Sequence, residues 1–350
     1  MRCRTYFLSG LLATALTVTL YPAAIAATPA SSATAERAIG ESTSALLQGD
    51  SARALAALRQ VPAVQFKGRD ADYRACMFGR FERAQPPWLV WDIEDPFVRE
   101  VLNHYQRYWW HALAAPAQRE SRAQELLMQL RRLLGPAADD THDFDAVEPL
   151  LKGQLEQRGY HAILGRTPPL RELMLWRRQE SKQYQVELPE GSHQVRVELL
   201  DDFVSRGWSS YARCQRGSAG GWATNEALYA VVPSYRDGLD SESFRVVFLG
   251  HEAQHFADQN RFPDMPSWEL EYRAKLVELA QAVEVSRKRL LGFMEAQSDD
   301  MDSPHTYANK RVVADLSKRL GKSPELASIP ELQQAAREQL IADTARRTGQ

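Results

Sequence analysis

The stretch Phe248-Leu249-Gly250-His251-Glu252-Ala253-Gln254-His255-Phe256-Ala257 sets two histidines four residues apart, with a glutamate directly after the first. On a helix of 3.6 residues per turn, positions four apart share one face about a turn from each other. Two imidazoles so placed can bind one Zn2+, and Glu252 can reach a water held beside it. The residues flanking this motif are uncharged and no proline interrupts it. Asp240 or Ser241 suits the N-cap, and Asn260 with Pro263 suits the stop.

A catalytic zinc commonly takes three protein ligands and keeps a fourth position for water, so two histidines are one ligand short. The next helical stretch, Ser267 to about Arg289, offers Glu269, Glu271 and Glu278. It begins 12 positions after His255, room for a turn and an antiparallel return that brings one glutamate to the metal. Spacing alone leaves the three glutamates open.

The motif resembles that of the HExxH zinc metallopeptidases of gluzincin type. The string Glu271-Tyr272-Arg273-Ala274 resembles the Glu-Tyr-x-Ala segment of the CAAX-processing endopeptidases, with Lys275 where those enzymes carry Asp. The resemblance covers only the two metal-bearing helices. It implies Zn2+ as cofactor, held by His251, His255 and Glu271, with Ala274 leaving space for close helix packing. It further implies Glu252 as general base in the hydrolysis of an amide bond, with a peptide or protein as substrate. Many gluzincins set a His or Tyr opposite the zinc to donate to the oxyanion, and His305 or Tyr307 suits that role by type and position. The edge strand that pairs with extended substrate in such folds is matched by Gly221, Trp222 and Ala223. The alternative reading is a non-catalytic envelope binding or scaffold protein with a structural zinc site, in which Glu252 would have no task.

The elements that must position these groups point to an α+β fold: a helical N-terminal region, 27–159, followed by a zincin-like domain, 160–350. Apolar residues at spacings of three and four predict helices over Glu36 to Arg59, Pro96 to Leu113, Ala117 to Leu134 and Ala146 to Gln157. The aromatic cluster Trp88, Trp91, Tyr105, Tyr108, Trp109 and Trp110 reads as core. Short runs from Leu170 to Trp176, Tyr184 to Leu188, Gln194 to Leu200 and Leu228 to Val232 read as strands, with Pro189-Glu190-Gly191-Ser192 as a hairpin turn. They predict a small antiparallel or mixed sheet ahead of the zinc helix.

Residues 1–26 read as a signal peptide: Arg2 and Arg4 at the start, an apolar run from Phe7 to Leu20, and Ala24-Ile25-Ala26 as a cleavage site. The expected product is periplasmic or secreted, without a transmembrane segment after signal removal. Loss of the signal leaves 41 basic residues against 45 acidic ones, a balance that predicts no nucleic-acid partner. In an oxidising compartment Cys76 and Cys214 can pair or remain two buried thiols, and their spacing is no metal motif.

Overall fold

The computed structural model describes residues 30–86, 92–217, 220–224 and 226–349. Residues 1–26, expected as a signal peptide, and two members of the aromatic cluster, Trp88 and Trp91, lie outside the described residues. The fold is α+β. Its first part holds six helices: α1 (Ala33–Leu47), α2 (Ser51–Arg59), α3 (Gly68–Phe81), α4 (Pro96–Ala114), α5 (Arg119–Leu134) and α6 (Phe144–Glu156). The helical stretch from Glu36 to Arg59 is a helix pair that divides at Gly49, where φ is 81°. Asp50 then caps α2 by accepting from the Arg53 amide, a carboxylate meeting one of the orphan N–H groups of a helix start. Tyr105, Tyr108, Trp109 and Trp110 are all buried on α4, core as expected.

The strands follow: β1 (His161–Ile163), β2 (Arg166–Thr167), β3 (Leu170–Arg171), β4 (Met174–Leu188) and β5 (Gly191–Arg206). Helix α7 (Gly207–Ala212) leads to β6 (Gly221–Ala223) and β7 (Leu228–Val231). The strand order β1-β4-β5-β7-β6 makes a mixed five-stranded sheet, antiparallel except for β5 against β7. Two of the short runs expected from sequence are ends of one long hairpin, β4 to β5, closed by Leu188 opposite Gly191. The polar middle of β4, Arg177 to Gln185, masks that continuity because its side chains largely face solvent.

Five more helices follow among the described residues: α8 (His251–Arg261), α9 (Ser267–Gln281), α10 (Ser286–Glu295), α11 (Pro304–Leu320) and α12 (Ile329–Thr348). The apolar run Ser243–Gly250 enters α8 as a π-helix, a wider winding that tends to occur at functional sites. Ser241 caps this entry, its hydroxyl accepting from the Phe244 amide. No helix among the described residues is long and apolar enough to cross a membrane.

Two large cores result. One gathers the N-terminal helices and runs past position 159 to take in Tyr160, Leu170, Leu173, Leu175, Trp208 and Tyr211. The other seals the inner face of the sheet, Val195, Val197 and Leu199 included, against the helices that carry the histidines. Cys76 and Cys214 form a disulfide between α3 and the segment after α7, across a sequence separation of 138. Both ends serve the first core, since α7 packs there.

Candidate metal centre

Helix α8 presents His251 and His255 on one face, and both are buried. Their rings cross edge to face with centroids 4.6 Å apart, and the two Nε2 atoms are 3.0 Å from each other. Helix α9 crosses against α8 and delivers Glu271 to both rings: Oε1 lies 3.3 Å from His255 Nε2 and Oε2 lies 3.7 Å from His251 Nε2. The two helices run close at Gly250, where an added Cβ would come within 2.9 Å of the Gln281 side-chain oxygen and 3.5 Å of Val277. Ala274, fully buried, serves the same approach from the α9 side.

These three residues can hold a metal ion, with one ligand atom from each lying within 4.8 Å of the others. A tetrahedral ion with metal–nitrogen bonds of about 2.0 to 2.1 Å separates its donors by roughly 3.3 Å. The spacings of 3.0 Å between the two Nε2 atoms and 3.3 Å from His255 Nε2 to Glu271 Oε1 fit that value, and the second oxygen, Oε2, stands farther off at 3.7 Å from His251 Nε2.

The outer shell is equally specific. His251 Nδ1 donates to Glu278 Oε1 at 2.7 Å, and Arg289 binds the other oxygen of that carboxylate. With Nδ1 committed as donor, Nε2 is the atom left to face an ion, the arrangement by which carboxylates orient metal-binding imidazoles. Glu278 therefore stands behind the cluster, and Glu271 stands in it. Glu269, the third glutamate open from spacing, pairs with Arg347 on α12 at 2.6 Å. His255 lacks the matching support, as its Nδ1 is buried without a hydrogen-bond partner.

Charge is concentrated here. Burial alone would lower the His251 pKa, yet hydrogen bonds with Glu271 and Glu278 push it up to about 9. Burial would raise Glu271, but hydrogen bonds from His251, His255 and His305, with Lys275 nearby, hold it far below the usual carboxylate range. A raised folded-state pKa stabilises the fold fully below the ordinary value of 6.5 and ceases to do so as pH passes about 9. Metal-free protein is thus expected to lose stability across that window, while metal uptake there releases about one proton per chain. Denaturation midpoints of chelator-treated protein at both ends of the window check this. A flat profile would contradict the protonated pair.

Glu252, one residue after His251, is half-buried. Its charge is felt at Tyr235, whose hydroxyl is pushed well above its usual range first by burial and then by that carboxylate. The same hydroxyl donates to the Gly220 carbonyl at 2.9 Å, so Tyr235 links the Glu252 side of α8 to the start of β6. No sequence signal singled out Tyr235. Strand β6 ends the sheet order and pairs antiparallel with β7. Bonds at Gly220 with Val231 and at Thr224 with Ala227 set the alternation of the ladder, which turns the main-chain groups of Gly221 and Ala223 outward along the edge. Gly221 has no space for a side chain, since a Cβ would meet the Tyr229 carbonyl at 2.2 Å and the Phe248 ring at 2.3 Å. Trp222 points to the opposite face of the sheet, stacked on Tyr229 at 5.2 Å.

The two groups expected at the start of α11 differ in placement. His305, its side chain 70% exposed, donates from Nδ1 to Glu271 Oε2 at 2.7 Å. Tyr307 packs edge-on against Trp268, ring centroids 5.1 Å apart. Lys275, which stands where the CAAX-processing enzymes carry Asp, is buried and donates to Glu271 Oε2 at 3.0 Å. Searches of protein-family models, of curated proteins and of solved structures each find no match to this chain.

Proposed function

We propose that this chain is a zinc-dependent hydrolase of amide bonds, an exported metallopeptidase acting on peptide or protein substrates. One observation carries the reading: two Nε2 atoms and a carboxylate converge while a further carboxylate, Glu252, follows the first histidine on the same helix. A nitrogen and oxygen donor set without thiolates suits Zn2+. When bound, the ion supplies Lewis-acid polarisation and a lowered pKa for water. Glu252 takes the proton of the attacking water and returns it to the leaving nitrogen. The outward main-chain groups of Gly221 and Ala223 on β6 hold the substrate as an added strand beside α8. His305, in contact with Glu271, serves as a support of that carboxylate in this scheme, and the oxyanion role is left without a residue.

The test is digestion of a broad peptide library by purified protein, with and without chelator, beside Glu252→Gln. The variant is expected to fold and retain metal yet lose hydrolysis by about 10² to 10⁴, because an amide accepts no proton. Metal without any cleavage by the wild-type chain would favour the scaffold reading. Turnover close to wild type in Glu252→Gln would remove Glu252 as base.

A further inference from the structure

Glu271 engages its two oxygens unequally. Oε2 accepts from Lys275 Nζ at 3.0 Å and from His305 Nδ1 at 2.7 Å and stands off from His251 Nε2 at 3.7 Å, whereas Oε1 meets His255 Nε2 at 3.3 Å. Lys275 sits one turn after Glu271 on the same face of α9 and is 4% exposed, its ammonium 5.3 Å from the Phe293 ring centroid. A buried ammonium beside a group suited to a dication works against metal affinity, since like charges repel strongly where water is scarce. A cluster shaped only for tight binding would leave that position apolar.

We propose that Lys275, aided by His305, is a positioning residue that restricts Glu271 to ligation through one oxygen and so keeps a coordination position open. The physical reason is the ligand count. A carboxylate that binds through both oxygens fills two positions, while a catalytic site with three protein ligands needs one for water or substrate. Two hydrogen bonds hold Oε2 away from that role. The inference rests on the metal reading above and adds to it the device that keeps the site reactive.

The experiment uses the full chain loaded with Co2+, whose visible absorption is intense when four-coordinate and weaker when five-coordinate. Lys275→Met and His305→Phe are compared with wild type by that spectrum and by chelator competition for Co2+ and Zn2+. Lys275→Met is expected to show the weaker five-coordinate spectrum and to bind both ions about tenfold more tightly, because a like charge is gone and a second oxygen is released. His305→Phe, altered at an exposed side chain, is expected to shift the spectrum part of the way in the same direction. A Lys275→Met protein that binds metal more weakly with an unchanged spectrum makes Lys275 a structural prop and overturns the proposal. If that variant does not fold, an unchanged spectrum in His305→Phe rejects it alone. A wild-type chain that is already five-coordinate also rejects it, whereas one that takes up no Co2+ overturns the metal reading itself.

Discussion

Replacing His251, His255 or Glu271 by Ala is expected to leave the chain with almost no bound metal, measured by elemental analysis of purified protein. Each of the three supplies a donor to one shared point between α8 and α9, and loss of one of three ligands abolishes the chelate. Glu278→Gln should behave differently. Glu278 is fully buried and meets His251 at the nitrogen that faces away from the cluster, with Arg289 on its other oxygen, so the variant should retain the ion with affinity reduced about tenfold, the lower end of the range for outer-shell partners. Full occupancy in both histidine variants would end the assignment. A stripped Glu278→Gln beside a metal-replete Glu271→Ala would exchange the roles of the two glutamates.

Arg273→Met is expected to cost about 3 to 5 kcal/mol of folding stability, read from urea unfolding. The guanidinium is 1% exposed. It donates to Asp258 at 2.8 Å, Asp343 at 2.9 Å and Glu190 at 2.8 Å, and to the Thr344 hydroxyl at 2.9 Å. One side chain thereby joins the end of the metal helix, the β4–β5 turn and α12. Removing it leaves buried carboxylates facing one another without their cation, which costs far more than the original pairing contributed. A loss within about 0.5 kcal/mol, the range of an ordinary surface substitution, would show that Arg347 and Arg346 suffice to neutralise Asp343.

Most helices were legible as apolar periodicity, and Ser241, one of the two expected caps, does cap the helical entry that leads into α8. The break after α9 was not. Periodicity ran on to about Arg289, but the helix stops at Gln281 because Glu242, 41 residues away in sequence, accepts from the Val283 amide and also takes the Val285 amide. A carboxylate that captures distant backbone donors ends a helix without leaving a local signal. Arg273 and Lys275 were hidden for a related reason. Residues from Glu271 to Ala280 are buried all round the helix, so its charges are interior ones, while their spacing reads as that of a solvated surface.

By itself the sequence determined the pairing of His251 with His255 and the place of Glu252 beside them, because a helix sets side-chain directions through short-range geometry alone. It also narrowed the third ligand to glutamates of one later helix. Spacing did not choose among them; the Glu-Tyr-x-Ala resemblance pointed to Glu271, and the tertiary structure sets Glu271 beside the two histidines. Glu271 and Glu278 are seven residues apart, two turns along one face of α9, and both reach His251: Glu271 at Nε2, Glu278 at Nδ1. Which glutamate meets which side of the ring depends on how deeply α9 slides across α8. That depth is set by the packing of both helices on their shared core, and no spacing along the chain contains it.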